Sequence, residues 1–312
     1  MILRSLLLIL MVFPLIGNAQ NEILFFSYFK GNGEDGLHLA YSEDGYKWNT
    51  LKDDQSFLQP EIGESKLMRD PCIIYGPDKK FHMVWTTGWK EKGIGYANSK
   101  DLISWSDQIY IPVMSHEGNA QNCWAPEIAY DDVKDQFLIF WSTTIPGRYP
   151  ETDMSNGNGR NHRMYSITTK DFKSFSETKL FYDHGFNVID GSILKLKDQD
   201  YIMFIKDETK FPKTEKNIRW TKATSIEGPY SKPSEAITGD YWAEGPTCLK
   251  VGDKYIVYFD KYRKGSMGAV ESKDLKNWTD ISDQISFTGG VRHGTVFKVP
   301  GKIAKKLIRK FK

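Results

Sequence analysis

The sequence predicts an all-β fold, a five-bladed β-propeller whose ring is closed by N- and C-terminal strands that share one blade. Three observations lead to this prediction. A short turn motif recurs along the chain, a strand-like run precedes each copy, and a further short segment precedes most of these runs. The 312 residues, 40% of them hydrophobic, suffice for a substantial core. No helical periodicity of any length competes with the strand pattern.

The repeated motif is a hydroxyl residue, an Asp two positions later and an aromatic residue four positions beyond the Asp. The Asp side chain can bond the backbone ahead of it and close a turn, while the aromatic ring anchors the outgoing strand. A degenerate fifth copy occupies residues 223–231. The four regular copies begin at Ser42, Ser99, Thr169 and Ser272.

Runs rich in aromatic and β-branched residues precede the copies and predict strands. They span residues 23–29, 81–87, 136–143, 201–207 and 254–262. Another short segment lies ahead of four of these runs, beginning at Arg69, Trp124, Val188 and Trp242. The first run lacks such a segment, and the fifth segment lies at residues 292–299. We therefore expect the C-terminal strand to complete the first blade, which removes an exposed sheet edge.

The two ends of the chain differ from the propeller, to which we assign residues 20–301. Residues 1–19 have the charge, apolar core and small final residues of a secretory signal peptide, so we expect export to a periplasm or to the outside of the cell. Residues 302–312 form a basic tail with six positive charges and no negative one. Its apolar residues recur four apart, which predicts a short amphipathic helix packed on the domain.

Composition narrows the classes of function. Without the basic tail the chain is slightly acidic, which argues against a nucleic-acid partner. No stretch after residue 19 is apolar enough for a membrane span. The three cysteines, Cys72, Cys123 and Cys248, lie in apolar segments and match no zinc spacing, so we expect buried free thiols. We expect a monomer.

Acidic residues recur where the predicted inner strands begin. In a propeller the first strand of each blade lines the axis, so residues at these starts converge on one pocket. Four starts carry a carboxylate and the fifth carries the pair Arg292-His293. Carboxylates that converge in a cleft are costly unless they have partners or a function. The four carboxylates are Asp70, Glu127, Asp190 and Glu244.

The motifs around these residues resemble those of glycoside hydrolase family 43 over essentially the whole mature chain. They are Arg69-Asp70-Pro71, Trp124-Ala125-Pro126-Glu127, Val188-Ile189-Asp190-Gly191, Glu244-Gly245-Pro246 and Arg292-His293-Gly294. The resemblance implies that Asp70 is the general base, Glu244 the general acid, and Asp190 the residue that tunes the pKa of the acid and orients it. It also implies that Arg292 contacts substrate. His293 corresponds to a residue that binds a metal or a structural water in some members, but the reaction requires no cofactor.

The chemistry agrees with these roles, because an inverting glycosidase needs one protonated carboxyl group and one carboxylate that activates water. Further substrate contacts are expected from Arg69, Trp89, Trp124 and Glu127, although packing within the blades accounts equally well for either Trp. Family members often carry Asp where this sequence has Glu127. Its role is therefore open between a substrate contact and a structural partner.

The family resemblance implies a saccharide substrate but not which sugar. We expect an exo-acting α-L-arabinofuranosidase, with β-xylosidase or galactosidase as alternatives. The propeller families that act on fructosides are less compatible, since residues 21–68 contain no Asn-Asp-Pro motif. A non-catalytic carbohydrate-binding propeller would not need both Asp70 and Glu244. A loop rich in Gly, Asn and Pro at residues 145–163 either shapes specificity or is a surface insertion.

Overall fold

The computed structural model describes residues 22–197 and 199–312. The predicted signal peptide at residues 1–19 lies outside the described residues. The described chain contains nineteen strands in five separate antiparallel sheets, and one α-helix. No helix in this part of the chain is long and apolar enough to cross a membrane.

Four of the sheets have four strands and one has three. The first sheet contains β1 (Ile23–Tyr28), β2 (His38–Ser42), β3 (Asn49–Thr50) and β19 (Thr295–Val299). The second contains β4 (Arg69–Tyr75), β5 (Phe81–Thr86), β6 (Ile94–Ser99) and β7 (Ile109–Ile111). The third contains β8 (Trp124–Asp131), β9 (Gln136–Thr144), β10 (His162–Thr169) and β11 (Lys179–Tyr182). The fourth contains β12 (Val188–Lys197), β13 (Asp200–Asp207) and β14 (Asn217–Ala223). The fifth contains β15 (Glu244–Val251), β16 (Lys254–Lys261), β17 (Ser266–Ser272) and β18 (Thr279–Asp280).

These sheets are the blades of a five-bladed β-propeller, as predicted. The C-terminal strand β19 pairs antiparallel with β1, from Ile23 opposite Val299 to Ser27 opposite Thr295. The inner strands β19, β4, β8, β12 and β15 contact one another in turn around the axis. The prediction that strands from both ends of the chain share a blade is therefore confirmed.

The repeated motif forms the turn expected of it. In the first copy, Ser42 Oγ accepts a hydrogen bond from the backbone N–H of Gly45 at 2.8 Å. Asp44 Oδ1 accepts bonds from the N–H groups of Tyr46 and Lys47. The same pattern recurs in the other three regular copies. The residue after each Asp has a left-handed backbone, with φ between +57° and +81°, at Gly45, Leu102, Phe172 and Leu275.

The degenerate copy follows β14 in the blade that has three strands among the described residues. Here the chain runs along the outer edge of β14 without forming a regular strand. Its backbone N–H groups at Ser231, Ser234 and Ile237 donate to carbonyl groups of β14. The edge of this blade is thus partly covered, which limits its ability to pair with another chain.

Apolar side chains fill the spaces between neighbouring blades. The helix α1 (Gly301–Phe311) follows β19 and packs Ala304 and Leu307 into the cluster between the first and second blades. Its lysine and arginine side chains lie on the opposite, exposed side. The three cysteines are buried and unpaired, as expected from the sequence.

Candidate active site

The starts of the inner strands surround a pocket at the propeller axis, with a volume of about 260 Å³. Eight of the nine site residues expected from the sequence line this pocket. They are Arg69, Asp70, Trp89, Trp124, Asp190, Glu244, Arg292 and His293. The ninth, Glu127, lies outside the pocket wall.

A β-bulge at the start of four inner strands positions these side chains. The pairing with the second strand of the blade shifts register there, and the second residue of the strand, or the third in β12, adopts a left-handed backbone. Such a conformation costs about 1–3 kcal/mol for a residue other than glycine and is common where side chains must be aimed at a site. The four residues are Asp70, Ala125, Asp190 and Gly245, with φ of +51°, +46°, +56° and +60°.

Gly245 is required at its bulge for a second reason. A Cβ atom there would lie 2.3 Å from Cγ of the His293 ring, far inside van der Waals contact. The absence of a side chain lets the His293 ring pack directly against the backbone that follows Glu244. The fifth and first blades, which carry these residues, thus meet closely at the axis.

Asp70 is held by two side chains. The Thr86 hydroxyl accepts a hydrogen bond from the backbone N–H of Ala125. It donates its own hydrogen to Asp70 Oδ2 at 2.8 Å. His293 Nδ1 lies 3.4 Å from Asp70 Oδ1. Burial disfavours the charged form of His293, but Asp70, Asp190 and other nearby carboxylates outweigh burial and raise its pKa. Asp70 therefore faces donors, which suits a carboxylate that acts as a base.

Asp190 is buried and lies next to the predicted acid. Its Oδ2 accepts a 3.0 Å hydrogen bond from the backbone N–H of Gly245, the residue that follows Glu244. Burial raises the pKa of Asp190 to about 6, with neighbouring Glu244 and Asp70 adding to the rise while His293 and Lys206 oppose it. This carboxyl group is therefore a titratable neighbour of both Asp70 and Glu244.

Glu244 faces two cations. Lys206 Nζ lies 3.0 Å from Glu244 Oε2, and a terminal nitrogen of Arg292 lies 3.7 Å from Oε1. Arg292 is fixed from behind, because its Nε donates to the fully buried Asp260 at 2.8 Å. Lys206 is itself buried and lies 2.7 Å from Glu208 Oε2. The two predicted catalytic carboxyl groups thus have different surroundings, a hydroxyl and an imidazole for Asp70, and two cations for Glu244.

Glu127 lies deeper in the axis and is buried. Cys72 Sγ donates to its Oε2, and Thr295 Oγ1 donates to its Oε1, each at 3.3 Å. Burial raises the pKa of the Glu127 carboxyl to about 8. These contacts link β4, β8 and β19, so the position suits the structural role, one of the two that the sequence left open, rather than a substrate contact.

Aromatic rings form one side of the pocket mouth. Trp89, a residue that is 42% exposed, meets Trp124 edge to face with ring centroids 5.4 Å apart. Trp89 Nε1 donates to Asn32 Oδ1, and Trp124 Nε1 donates to the carbonyl oxygen of Trp89. The Arg69 guanidinium lies over Trp89 and also donates to Asn32. The flat ring faces here suit the apolar faces of a sugar.

Sequence reasoning missed the pocket residues that belong to second strands. Thr86 and Lys206 lie opposite the starts of their inner strands, in the pairs Arg69–Thr86 and Ile189–Lys206. The buried Asp260 is paired with Glu244 in the same way. The signal was available, because the end of an antiparallel second strand lies beside the start of the first. The other missed residues are Glu208 and Tyr262.

The axial pocket of this five-bladed propeller brings together the carboxyl groups of Asp70, Asp190 and Glu244, and paired carboxyl groups are what glycoside hydrolysis uses. The family model described as a probable glycosyl hydrolase domain, related to glycoside hydrolase family 43, matches residues 22–303. The chain therefore belongs to this family of glycosidases.

Individual relatives are distant. An α-L-arabinofuranosidase of Bifidobacterium longum subsp. longum is 22% identical over 199 aligned positions, which cover 57% of this chain and 18% of that protein. The chain therefore spans less than a fifth of this relative. A thermostable family-43 glycoside hydrolase is 16% identical, with a TM-score of 0.55 over 72% of this chain and 78% of that one. An α-L-arabinofuranosidase from Lactobacillus brevis is 17% identical, with a TM-score of 0.52 over 69% and 72%. These two structures share the fold.

Proposed function

We propose that this protein is an inverting, exo-acting α-L-arabinofuranosidase in which Asp70 is the general base and Glu244 the general acid. The observation that carries the proposal is the pocket itself, in which two carboxyl groups from different blades have separate sets of partners. The names of the curated relative and of one solved structure of the same fold support the choice of sugar. The reaction needs no cofactor.

The proposed reaction is a single displacement. Asp70 accepts a proton from a water molecule, whose oxygen attacks the anomeric carbon, while Glu244 donates its proton to the glycosidic oxygen of the leaving group. The bond between the anomeric carbon and that oxygen breaks, and the anomeric configuration inverts. Asp70 ends protonated and Glu244 ionised, and proton exchange with solvent restores both groups.

The other pocket residues support this chemistry. Asp190 lies beside Glu244 and fixes the adjacent backbone through Gly245. Arg292, held by Asp260, and the Trp89–Trp124 pair contact the sugar. The cavity of about 260 Å³ is smaller than the pockets of about 300–1,000 Å³ that hold drug-sized ligands. It suits one terminal sugar ring, which is why we propose exo action.

The proposal extends to the setting of the enzyme. Residues 1–19 support export, and the substrate is then a polysaccharide or oligosaccharide encountered outside the cytoplasm. A β-xyloside or galactoside would meet the same acid and base, so these sugars are the alternatives that the experiment separates. We propose a monomer, because β19 pairs with β1 and so covers the edge of that strand.

The test is release of nitrophenol from aryl glycosides of α-L-arabinofuranose, β-D-xylose, β-D-galactose and β-D-galactofuranose. We expect turnover of the arabinofuranoside, and loss of at least about a hundredfold in kcat for Asp70→Asn, because general-base catalysis contributes about 10²–10⁴. Glu244→Gln should retain more activity on these good leaving groups than on an oligosaccharide.

Product stereochemistry, followed by proton NMR of the first-formed sugar, must show inversion. Retention of configuration would contradict the assignment of Asp70 as a base. Turnover of none of the four glycosides, together with tight binding of an oligosaccharide, would instead identify a binding propeller.

A further inference from the structure

The loop predicted at residues 145–163 connects β9 to β10 through residues 145–161, followed by the first two residues of β10, and polar contacts hold it in place. Asn161 donates to the carbonyl oxygen of Tyr149 and accepts from Thr152 Oγ1. Arg163, which is fully buried, donates through Nε to Asp183. Asn156 donates to Glu208, a residue of the pocket wall. The loop is therefore tied to the pocket and does not project as a surface insertion.

Arg160 lies near the end of this loop, and its backbone is fixed on both sides. Its N–H donates to Asn158 Oδ1, and its carbonyl oxygen accepts from Asn187 Nδ2. The guanidinium carbon lies 4.2 Å from the ring centroid of Trp124 and 5.9 Å from that of Trp89. Both rings line the pocket, so the charge of Arg160 lies at the pocket mouth.

The guanidinium of Arg160 contrasts with those of the two arginines inside the pocket. Arg69 donates to Asn32 and Arg292 donates to Asp260. Within residues 22–197 and 199–312, the guanidinium of Arg160 has ring contacts but no hydrogen-bond acceptor or ion-pair partner. It is nevertheless half-buried, and this burial lowers its pKa although the charge of Glu208 opposes the shift. A partly desolvated cation without an acceptor is costly, and an anionic ligand would offset that cost.

We propose that Arg160 is a specificity-determining residue that binds the anionic group of an acidic sugar next to the scissile linkage. The proposal rests on the proposed glycosidase function. A guanidinium that stacks on a ring still presents its N–H groups at its edge, where they can bind a carboxylate or a sulfate through two hydrogen bonds. Trp124 would stack on the same sugar, so recognition combines an apolar face with a charge.

The test uses a matched pair of substrates. The first is a rhamnogalacturonan oligosaccharide with arabinofuranosyl branches, and the second is the same material after its uronic acid carboxyl groups have been reduced to hydroxymethyl groups. We expect wild type to bind and hydrolyse the acidic form better by about tenfold, through KM, since bonds to charged groups exceed neutral ones. Arg160→Gln should remove this preference, so that the variant treats the acidic and reduced oligosaccharides alike.

Arg160→Lys should keep part of the preference, because the charge remains and the paired donors are lost. Arg309→Gln, on the exposed side of α1, is the matched control for loss of one positive charge. A third substrate is the reduced oligosaccharide after chemical sulfation. If wild type prefers this substrate but not the uronic acid form over the reduced form, the anion is sulfate. Circular dichroism and the melting temperature check the fold of each variant.

Two outcomes overturn the inference. If wild type hydrolyses the aryl arabinofuranoside but treats the acidic, reduced and sulfated oligosaccharides alike, Arg160 does not recognise an anion, while the proposed function stands. If no substrate is hydrolysed, the proposed function fails, and titration calorimetry with the same oligosaccharides still decides the role of Arg160. Equal binding by wild type and Arg160→Gln then contradicts it.

Discussion

Two buried carboxyl groups that occupy equivalent positions in the repeated sequence pattern have different pKa values because their surroundings differ. Asp190 and Glu127 both lie near the starts of inner strands, and burial is the largest cause of the raised pKa of each. Asp190 reaches about 6 because His293 and Lys206 partly offset burial and the repulsion from neighbouring carboxylates. Glu127 reaches about 8 with hydrogen bonds from Cys72 and Thr295 as its close contacts. Burial therefore favours the neutral form of the Glu127 carboxyl group, which joins three blades.

The protonation of Glu127 predicts how stability depends on pH. Its pKa is higher in the folded state than the ordinary value of 4.5, so the folded protein holds this proton more tightly than the unfolded chain. The contribution is fully present below about pH 4.5 and is lost as pH rises through 8. We expect the free energy of unfolding of wild type, relative to Glu127→Gln, to fall by on the order of 3 kcal/mol between pH 5 and 8.

Urea unfolding of both proteins at several pH values measures this difference. Glu43→Gln, at an exposed position, is the control and should leave the pH dependence of wild type unchanged. A constant difference between wild type and Glu127→Gln from pH 5 to 8 would show that Glu127 is ionised throughout.

Among the elements, α1 shows how a charged segment gains a fixed place. Every third or fourth side chain is apolar, and Ala304 and Leu307 are buried against the first two blades. Phe311 meets Phe57 edge to face, with ring centroids 5.3 Å apart. The basic residues lie on the solvent side, where they cost little. Packing, rather than the weak helix propensity of so short a segment, therefore stabilises this helix.

Leu307→Ala should lower the free energy of unfolding by about 2–5 kcal/mol, because it removes a buried side chain and leaves a cavity. Lys305→Ala, two residues away on the exposed side, should change it by less than about 0.5 kcal/mol. Urea unfolding monitored by tryptophan fluorescence measures both. Equal effects of the two substitutions would show that α1 does not contribute its apolar face to the core.

The elements also show what the sequence could and could not predict. The Asp turns and the five inner-strand starts were predictable, because both depend on residues close together in the chain. Lys206 and Asp260 enter the site through antiparallel pairing with the inner strands, so finding them needs the pairing of the strands as well as the local motifs. Arg160 reaches Trp124 through the path of a loop fixed by Asn161 and Arg163. Such a path depends on tertiary contacts and has no periodicity.

For the whole molecule, closure of the ring and assembly of the site depend on the same strand. Residues Arg292 and His293 immediately precede β19, which pairs with β1 and also contacts the neighbouring blades. Val296 donates its N–H to Thr247 in the fifth blade, and Phe297 packs against Phe81 in the second, with ring centroids 6.3 Å apart. Strand β19, the last in chain order among the described residues, thus completes both the first blade and the pocket.

Two deletions test this coupling. Removal of residues 301–312 takes away α1 alone, so we expect a folded monomer that retains β19 but has a lower urea midpoint. Removal of residues 294–312 also removes β19, which exposes the edge of β1 and the apolar surface around Phe25. That protein should lose cooperative unfolding and self-associate, although Arg292 and His293 remain in its sequence. Size-exclusion chromatography and urea unfolding distinguish the two truncated proteins. If the protein without residues 294–312 is monomeric and unfolds cooperatively, the ring does not depend on the shared blade.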